Sequence, residues 1–321
     1  MSFSEFDLIQ TYFSHATGNR GDVLLGIGDD CALLNPPAGR CLAISIDTLV
    51  EGRHFLPEVD PAALGHKALA VNLSDLAAMG AEPAWVTLAI TLPTVDEVWL
   101  RAFVDGFAQL AAAHNVQLVG GDTTRGPLSI TVQVHGFVDP ALALRRSGGR
   151  AGDRLFVSGT VGDAALALQR LRDNAAQGTE DACLLARLDR PTPRVALGRL
   201  LTGRANAAID VSDGLAADLR HICEASGVGA RVDLSRLPVS PAVAAACDRG
   251  DWHFALAGGD DYELLFSVGA DQVDAVLAAC GAAGEPVQEI GSLVDEEGIA
   301  LVYPDGRVSK EIPDGFDHFR T

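Results

Sequence analysis

KALAVNLSDLAAMGAEP, residues 67–83, is the stretch whose reading decides the fold. Ala63, Leu64, Ala68, Val71, Leu76 and Met79 recur at helical spacing through it and its upstream flank, which predicts a helix over 61–79. Pro61 suits a helix start and Gly80 its end. Asn72 and Asp75 are three apart and share a face of that helix. A carboxylate on a helix whose other faces are apolar is destabilising unless it has a partner. Either a cation or an arginine such as Arg53 or Arg125 would serve.

Outward from this helix the pattern switches to strands. Cys41 to Ile46 reads as a strand that ends at Asp47, and Trp85 to Leu92 as another. Val95 to His114 reads as a helix. Val116 to Val119 is an apolar run that leads into GGDTTRG (120–126), and Ser129 to Val138 alternates Ile130, Val132 and Val134. Two strand–helix–strand passages therefore precede residue 139, and the fold class is α/β. Val23 to Ile27 is a short apolar run, and residues 3–16 have a helical look through Phe3, Phe6, Ile9 and Phe13. Residues 139–153, rich in Gly, Arg and Asp, read as a connector, which predicts domains of 1–139 and 140–321. Beyond it come strand candidates at 154–158, 207–209, 231–234, 263–268 and 301–303. Helices are expected at 164–171, from about 192, from 215 to about 226, and at 271–282. Residues 173–194 read as a polar, Pro-containing segment.

Six acidic clusters follow apolar runs: Gly28-Asp29-Asp30, Ser45-Ile46-Asp47, Asn72-Leu73-Ser74-Asp75, Gly120-Gly121-Asp122, Asp210-Val211-Ser212-Asp213 and Gly258-Gly259-Asp260-Asp261. Carboxylates at the ends of buried strands face a shared cleft and repel one another unless cations lie between them. Hard oxygen ligands select Mg²⁺ or Ca²⁺, and Mg²⁺ commonly shares its coordination with substrate phosphates. A Mg²⁺-dependent enzyme acting on a phosphorylated compound is the first expectation. Successive N–H groups at Gly120-Gly121 can cradle a phosphate, and Arg125, Arg145 and Arg146 offer matching forks. Singly each motif also has a bland reading. Gly-Asp pairs make surface turns, Ser212 or Asp213 can cap a helix, and Gly258 to Asp261 can be a hairpin turn.

The chain of 321 residues is long enough for two ordinary domains or one large one, and at 48% hydrophobic it can bury a sizeable core. Its formal net charge of −19 argues against a nucleic-acid partner. Only two lysines, Lys67 and Lys310, stand beside 22 arginines, and neither follows the glycine spacing of a P-loop. Six cysteines at 31, 41, 183, 223, 247 and 280 form no C-x-x-C pair and are expected to be small buried thiols. No apolar stretch reaches the ~18 residues of a membrane span, and the N-terminus has no leader-like run, so a cytoplasmic protein is expected.

Taken together and in order, these segments carry a resemblance. GIGDDCALL (26–34), SIDTLVEGRHF (45–55), KALAVNLSDLAAMGAEP (67–83), GGDTTRGP (120–127), RSG (146–148), DVSDGL (210–215), GGDDYELLF (258–266) and GFDHF (315–319) resemble the thiamine-monophosphate kinases. The resemblance covers nearly the whole chain and rests most on NLSDLAAMGA and GGDTTRGP. It implies the two-domain aminoimidazole-ribonucleotide synthetase-like fold, with mixed sheets flanked by helices, and a homodimer joined through the N-terminal domains. It implies transfer of phosphate from ATP, with several Mg²⁺ ions, to thiamine monophosphate. The residues it marks as metal ligands are Asp30, Ser45, Ile46, Asp47, Asp75, Asp122, Asp210 and Asp213. The nucleotide contacts it marks are Gly121, Asp122, Arg146 and Ser212. The thiamine-phosphate contacts are His54, Asp260 and Phe316. Two positions depart from the family pattern. Ile46 stands where Thr is frequent and keeps only a backbone carbonyl to offer. Asp260 stands where Glu is usual, with the same charge on a shorter arm.

The expected chemistry is direct in-line transfer. The acceptor phosphate is already ionised at neutral pH, so no side chain is required as base or nucleophile. The obstacle is the repulsion of two anions, which bound Mg²⁺ relieves. Two alternatives share these residues. One is another ATP-using enzyme of the same fold, acting on a ribonucleotide amide or on selenide. A selenide enzyme is expected to carry an N-terminal Cys or selenocysteine with a Lys nearby, and residues 1–25 hold neither. The other is a metal- or nucleotide-binding relative without turnover.

Overall fold

The structure is a computed structural model that describes residues 4–175 and 178–316. Phe3 and the Asp317, His318 and Phe319 of the last motif lie outside the described residues. The chain divides into two compact units, one of Met1–Leu76 with Ala81–Ala141, the other of Ala77–Gly80 with Leu142–Thr321.

The first unit opens with a short helix α1 (Glu5–Leu8) and a π-helical turn over Ile9–Phe13. Ser4 caps α1: its Oγ accepts the Asp7 N–H while the Asp7 carboxylate accepts the Ser4 N–H. A small antiparallel pair, β1 (Val23–Leu25) and β2 (Leu33–Leu34), follows. The main sheet is built from β3 (Cys41–Val50), β4 (Glu82–Leu92), β5 (Gln117–Arg125) and β6 (Ser129–Val138), in the order β3-β6-β4-β5. β4 and β5 run parallel and the other neighbours antiparallel, so the sheet is mixed. Helices α2 (Pro61–Ala78) and α3 (Glu97–Ala113) join its strands. They touch backbone to backbone at two glycines. A Cβ on Gly65 would lie 2.0 Å from the Phe103 carbonyl oxygen, and one on Gly106 would lie 1.8 Å from that of Ala62. Only glycine permits this approach, which fixes where α2 holds Asp75.

Two strands run further than the sequence suggests. β3 does not end at Asp47, because Thr48, Leu49 and Val50 continue its pairing with Thr131, Ile130 and Ser129. Gly120 to Arg125 belong to β5 and make no phosphate-cradling loop. They extend its parallel pairing with β4, just past a bulge that leaves Val119 between Leu118 and Gly120.

The second unit contains β7 (Arg154–Ser158), α4 (Asp163–Arg172), α5 (Gly178–Asp189), α6 (Val195–Leu201), β8 (Ala207–Val211), α7 (Leu215–Ser226) and β9 (Gly229–Asp233). It continues with α8 (Pro241–Cys247), α9 (His253–Ala257), β10 (Glu263–Val268), α10 (Val273–Ala283), β11 (Val287–Val294), β12 (Ile299–Val302) and β13 (Val308–Ser309). Its seven-stranded sheet has the order β13-β12-β9-β11-β7-β10-β8, antiparallel except for β9 with β12. One core joins Leu155, Val157, Ile209, Val211 and Leu265 of the strands to Leu219, Ile222 and Val243 of the helices. The segment read as polar, 173–194, contains α5, whose buried Asp181, Leu184 and Leu188 recur at helical spacing. Three of the six cysteines are not buried: Cys31, Cys41 and Cys183 are exposed, and all six are free thiols. Burial raises the remaining three, Cys223 to about 11. Among the described residues no helix is long and apolar enough to cross a membrane.

Candidate functional site

In the first unit, the pleat of β3 divides the candidate residues. Ser45 and Asp47 pair with the buried Val134 and Val132 and share their face. There they meet α2. Ser45 Oγ donates to Asp75 Oδ2 at 2.5 Å, and the Asp47 N–H donates to Asn72 Oδ1 at 3.0 Å. Asn72 is itself held by the Ala68 carbonyl, so two residues one helical turn apart grip two positions of one strand. Ile46 points to the opposite face and is 55% exposed, which leaves its carbonyl as its polar group. His54 lies just beyond β3, where its Nδ1 accepts the Val50 N–H at 2.9 Å, placing the ring proton on Nε2.

The other candidates of this unit lie apart. Asp30 is exposed in the connection between β1 and β2, its N–H bonded to Asp29 Oδ1. Gly121 and Asp122 are on β5, the far edge of the sheet from β3. Register places Asp47 opposite Val132, Val132 opposite Leu88, and Leu88 opposite Gly121. Three strand spacings, roughly 14 Å, therefore separate the two edges. Among the described residues no three His, Cys, Asp or Glu side chains gather into one metal-holding group. The donor set still suits Mg²⁺. Its oxygens are hard, and Mg²⁺ is usually held through one or two carboxylates, with water and substrate phosphate completing the octahedron.

In the second unit, Asp210, Ser212 and Asp213 lie on one strand end and turn. Asp210 is buried within β8 and Ser212, Asp213 and Gly214 lead into α7. Neither Ser212 nor Asp213 caps that helix; Gly214 occupies the cap position, without a side-chain bond. Instead Asp218, from the first turn of α7, reaches back. Its Oδ2 accepts the N–H groups of Ser212, Asp213 and Gly214 at 3.1, 3.1 and 3.2 Å. Burial, then the nearby Asp213 carboxylate, pushes Asp218 up to about 7, against the pull of these three bonds. The carbonyls of the same turn face the other way. Val211, Ser212 and Asp213 accept the N–H groups of Tyr262, Asp260 and Phe316 at 2.8, 2.9 and 3.0 Å. Asp260 and Tyr262 sit in the left-handed region, with φ of 69° and 51°, and the Tyr262 hydroxyl donates to Asp260 Oδ1. The Gly258 to Asp261 stretch is thus no hairpin turn; it joins α9 to β10 across the 211–213 turn. Arg146 is exposed ahead of β7, its carbonyl bonded to Ser226 Oγ.

Residues 28–138 match the model of AIR synthase related protein, N-terminal domain, and residues 150–304 match that of its C-terminal domain. The chain is 51% identical to the thiamine-monophosphate kinase of Salmonella typhimurium, with all of both chains covered. The chain belongs to the thiamine-monophosphate kinase family. The Escherichia coli K12 kinase is 50% identical, again over the full length of both. In structure, the thiamine-monophosphate kinase of Stenotrophomonas maltophilia K279a is similar with a TM-score of 0.87, at 49% identity and with 96% of this chain and 99% of that one covered. AaThiL complexed with AMPPCP and TMP gives a TM-score of 0.78 at 31% identity, covering 88% of this chain and 89% of that one.

Within this kinase fold, two residues escape a reading of motifs. Asp218 resembles any polar residue in the first turn of a helix; its one signal is an i, i+4 spacing from Gly214 on a buried face. Tyr262 follows the Gly-Gly-Asp-Asp motif, where an aromatic residue at the head of an apolar strand looks like core. A buried ionic cluster lies beside them. Glu263 accepts from Arg187, Arg194 and Ser158, and the Asp261 carboxylate accepts the Gly162 N–H at 2.7 Å. Complete burial drives Asp261 well above the usual carboxylate range.

Proposed function

We propose that this chain transfers the terminal phosphate of ATP to thiamine monophosphate, giving thiamine diphosphate, by direct in-line displacement. The full-length likeness to the Salmonella kinase carries this reading, and AaThiL, complexed with AMPPCP and TMP, supports paired nucleotide and phosphate-ester binding. In this reading residues 1–139 form the ATP- and metal-binding domain and the dimerisation domain, and residues 140–321 complete the active site.

Asp30, Ser45, Asp47, Asp75, Asp122, Asp210 and Asp213, with the Ile46 carbonyl, would share several Mg²⁺ ions among them, which would supply charge neutralisation of the phosphate oxygens and their alignment. Gly121, Asp122, Arg146 and Ser212 bind the nucleotide, Arg146 as a planar fork for phosphate. His54, with its proton directed to Nε2 by the Val50 N–H, donates to the phosphate of the acceptor. Asp260 faces the cationic ring with its charge, and Phe316, 52% exposed, stacks against it. No side chain is asked to remove a proton, since the acceptor oxygen is already ionised.

The open face of the first sheet supports a homodimer. Leu42, Ile44 and Ile46 project from the β3 edge and remain 43–55% exposed. A run of apolar side chains along a sheet edge is a liability until covered, and a second copy of this unit is the cover we assign. We assign the enzyme to the cytoplasm, where ATP is available as co-substrate.

Phosphorus NMR of the protein with ATP, Mg²⁺ and thiamine monophosphate tests the reading. Paired signals of thiamine diphosphate growing with ADP are expected. ADP without thiamine diphosphate, or binding of both ligands with no turnover, would overturn it.

A further inference from the structure

The 211–214 turn is held on both sides of its backbone. Its three consecutive amides converge on a single oxygen of Asp218, and its three carbonyls suspend Tyr262, Asp260 and Phe316. Peptide planes are rigid, so the direction of an N–H fixes the direction of the carbonyl on the same plane. The amide of Ser212 and the carbonyl of Val211 are two ends of one peptide group, as are the amide of Asp213 and the carbonyl of Ser212, and the amide of Gly214 and the carbonyl of Asp213. Each bond to Asp218 therefore aims one carbonyl at one of the three suspended residues. Asp218 is 2% exposed and does not reach the surface that a substrate would occupy.

We propose that Asp218 is a positioning residue that couples the nucleotide and metal side of the site, Ser212 and Asp213, to the acceptor side, Asp260 and Phe316. This rests on the functional reading above and deepens it: one buried carboxylate sets both substrate subsites at once. Were Asp218 absent, the three peptide planes would be held from the carbonyl side alone and could tilt. The carbonyls that hold Asp260 and Phe316 would then lose their aim together with the Ser212 and Asp213 side chains. Misplacement on the scale of 1 Å at a reacting centre costs roughly 100-fold in rate.

The test uses Asp218→Ala and Asp218→Asn in the full chain. Asn keeps an oxygen that can accept all three N–H groups and discards the charge. Asp218→Ala is expected to raise the KM for ATP and for thiamine monophosphate together and to lower kcat/KM by roughly 100-fold, at a temperature where circular dichroism shows a folded protein. Asp218→Asn is expected to restore most of that loss. A rise in only one KM, kinetics within twofold of wild type for Asp218→Ala, or an Asn variant as impaired as Ala would overturn the coupling. If Asp218→Ala does not fold, hydrogen exchange on the wild type decides. The amides of Ser212, Asp213 and Gly214 must exchange as slowly as those of β8, and fast exchange there sinks the proposal. That measurement needs no turnover. A wild type that fails to phosphorylate thiamine monophosphate would therefore refute the functional reading while leaving the Asp218 geometry separately testable.

Discussion

Replacing Glu263 by Gln should unfold the second unit far more easily, although it alters one atom of a side chain that never meets water. Glu263 is 0% exposed. Its Oε1 accepts from Arg187 Nη2 and Arg194 Nη2, both at 2.7 Å. Its Oε2 accepts from Arg194 Nε at 2.6 Å and from Ser158 Oγ at 2.5 Å. Gln can keep the first oxygen and its two bonds. At the second position it presents an NH₂ group. Ser158 can rotate and accept from that group, but Arg194 Nε has only a proton to offer, so donor meets donor. Two largely buried guanidinium groups also lose their anion. Breaking a buried ion pair from one side typically costs about 3–5 kcal/mol, a large fraction of the ~5–15 kcal/mol that holds a domain together. With a urea slope of about 2–3 kcal/mol/M, the midpoint should fall by roughly 1–2.5 M. Urea unfolding followed by circular dichroism measures it. The companion variant Glu263→Leu with Arg194→Leu removes the Glu263–Arg194 pair while Arg187 keeps Asp163 at 3.9 Å, and should recover part of the loss, because well-packed apolar replacements often match a buried ionic pair. A Gln variant within 0.5 kcal/mol of wild type would refute the reasoning. It would mean that the two guanidinium groups find water or other acceptors once the carboxylate is gone.

Three further outcomes follow from the same geometry. Asp75→Asn keeps an acceptor for Ser45 Oγ but removes a charge from the proposed cation site; losing several kcal/mol of phosphate neutralisation means a fall in kcat of roughly 10³-fold or more, with an unchanged circular dichroism spectrum, and near-normal turnover would remove Asp75 from that site. Ile44→Glu places a carboxylate in the exposed apolar face of β3 and should give a monomer by analytical ultracentrifugation, whereas a persisting dimer would place the interface elsewhere. His135 lies half-buried with Nδ1 enclosed, and desolvation holds it below its ordinary 6.5; below about pH 6.5 the unfolded chain therefore binds the extra proton first, stability falls as pH drops, and His135→Gln should flatten that fall in urea titrations between pH 7.5 and 5.5.

What the sequence made legible was the regular part. The helical period over 61–79 survives as Pro61–Ala78, a helix buried on nearly every face from Ala63 to Ala78. Alternation in Ser129–Val138 survives without a residue's change, since that central strand has one face buried throughout. Edges were harder. Nothing in Thr48-Leu49-Val50 says that pairing with β6 continues past Asp47, and two consecutive glycines at 120–121 signal a loop when partner strand β4 is not in view. β11 was missed because Gln288, Glu289 and Ser292 dilute its apolar residues and a bulge before Gly291 breaks its alternation. The acidic clusters were visible, but which of them meet was not. Ser45 with Asp75 and Asp47 with Asn72 come together through a helix crossing, whereas Asp122 goes to the opposite edge of the sheet.

The departure at Asp260 finds a physical reason in the backbone beside it. Residue 260 stands at φ of 69°, and its N–H donates to the Ser212 carbonyl. Left-handed backbone is tolerated several-fold better by Asp and Asn than by most side chains, and a longer Glu gains nothing from that leniency. Asp therefore lowers the strain of the loop at the expense of reach. Tyr262 offsets the loss in the proposed acceptor contact: its hydroxyl, at 3.0 Å from Oδ1, holds the short carboxylate in one direction and would limit the rotamers surrendered on binding. The loop thus exchanges a long flexible arm for a short one that is aimed in advance. Its strain is borne by the bonds that run through the 211–213 carbonyls to Asp218.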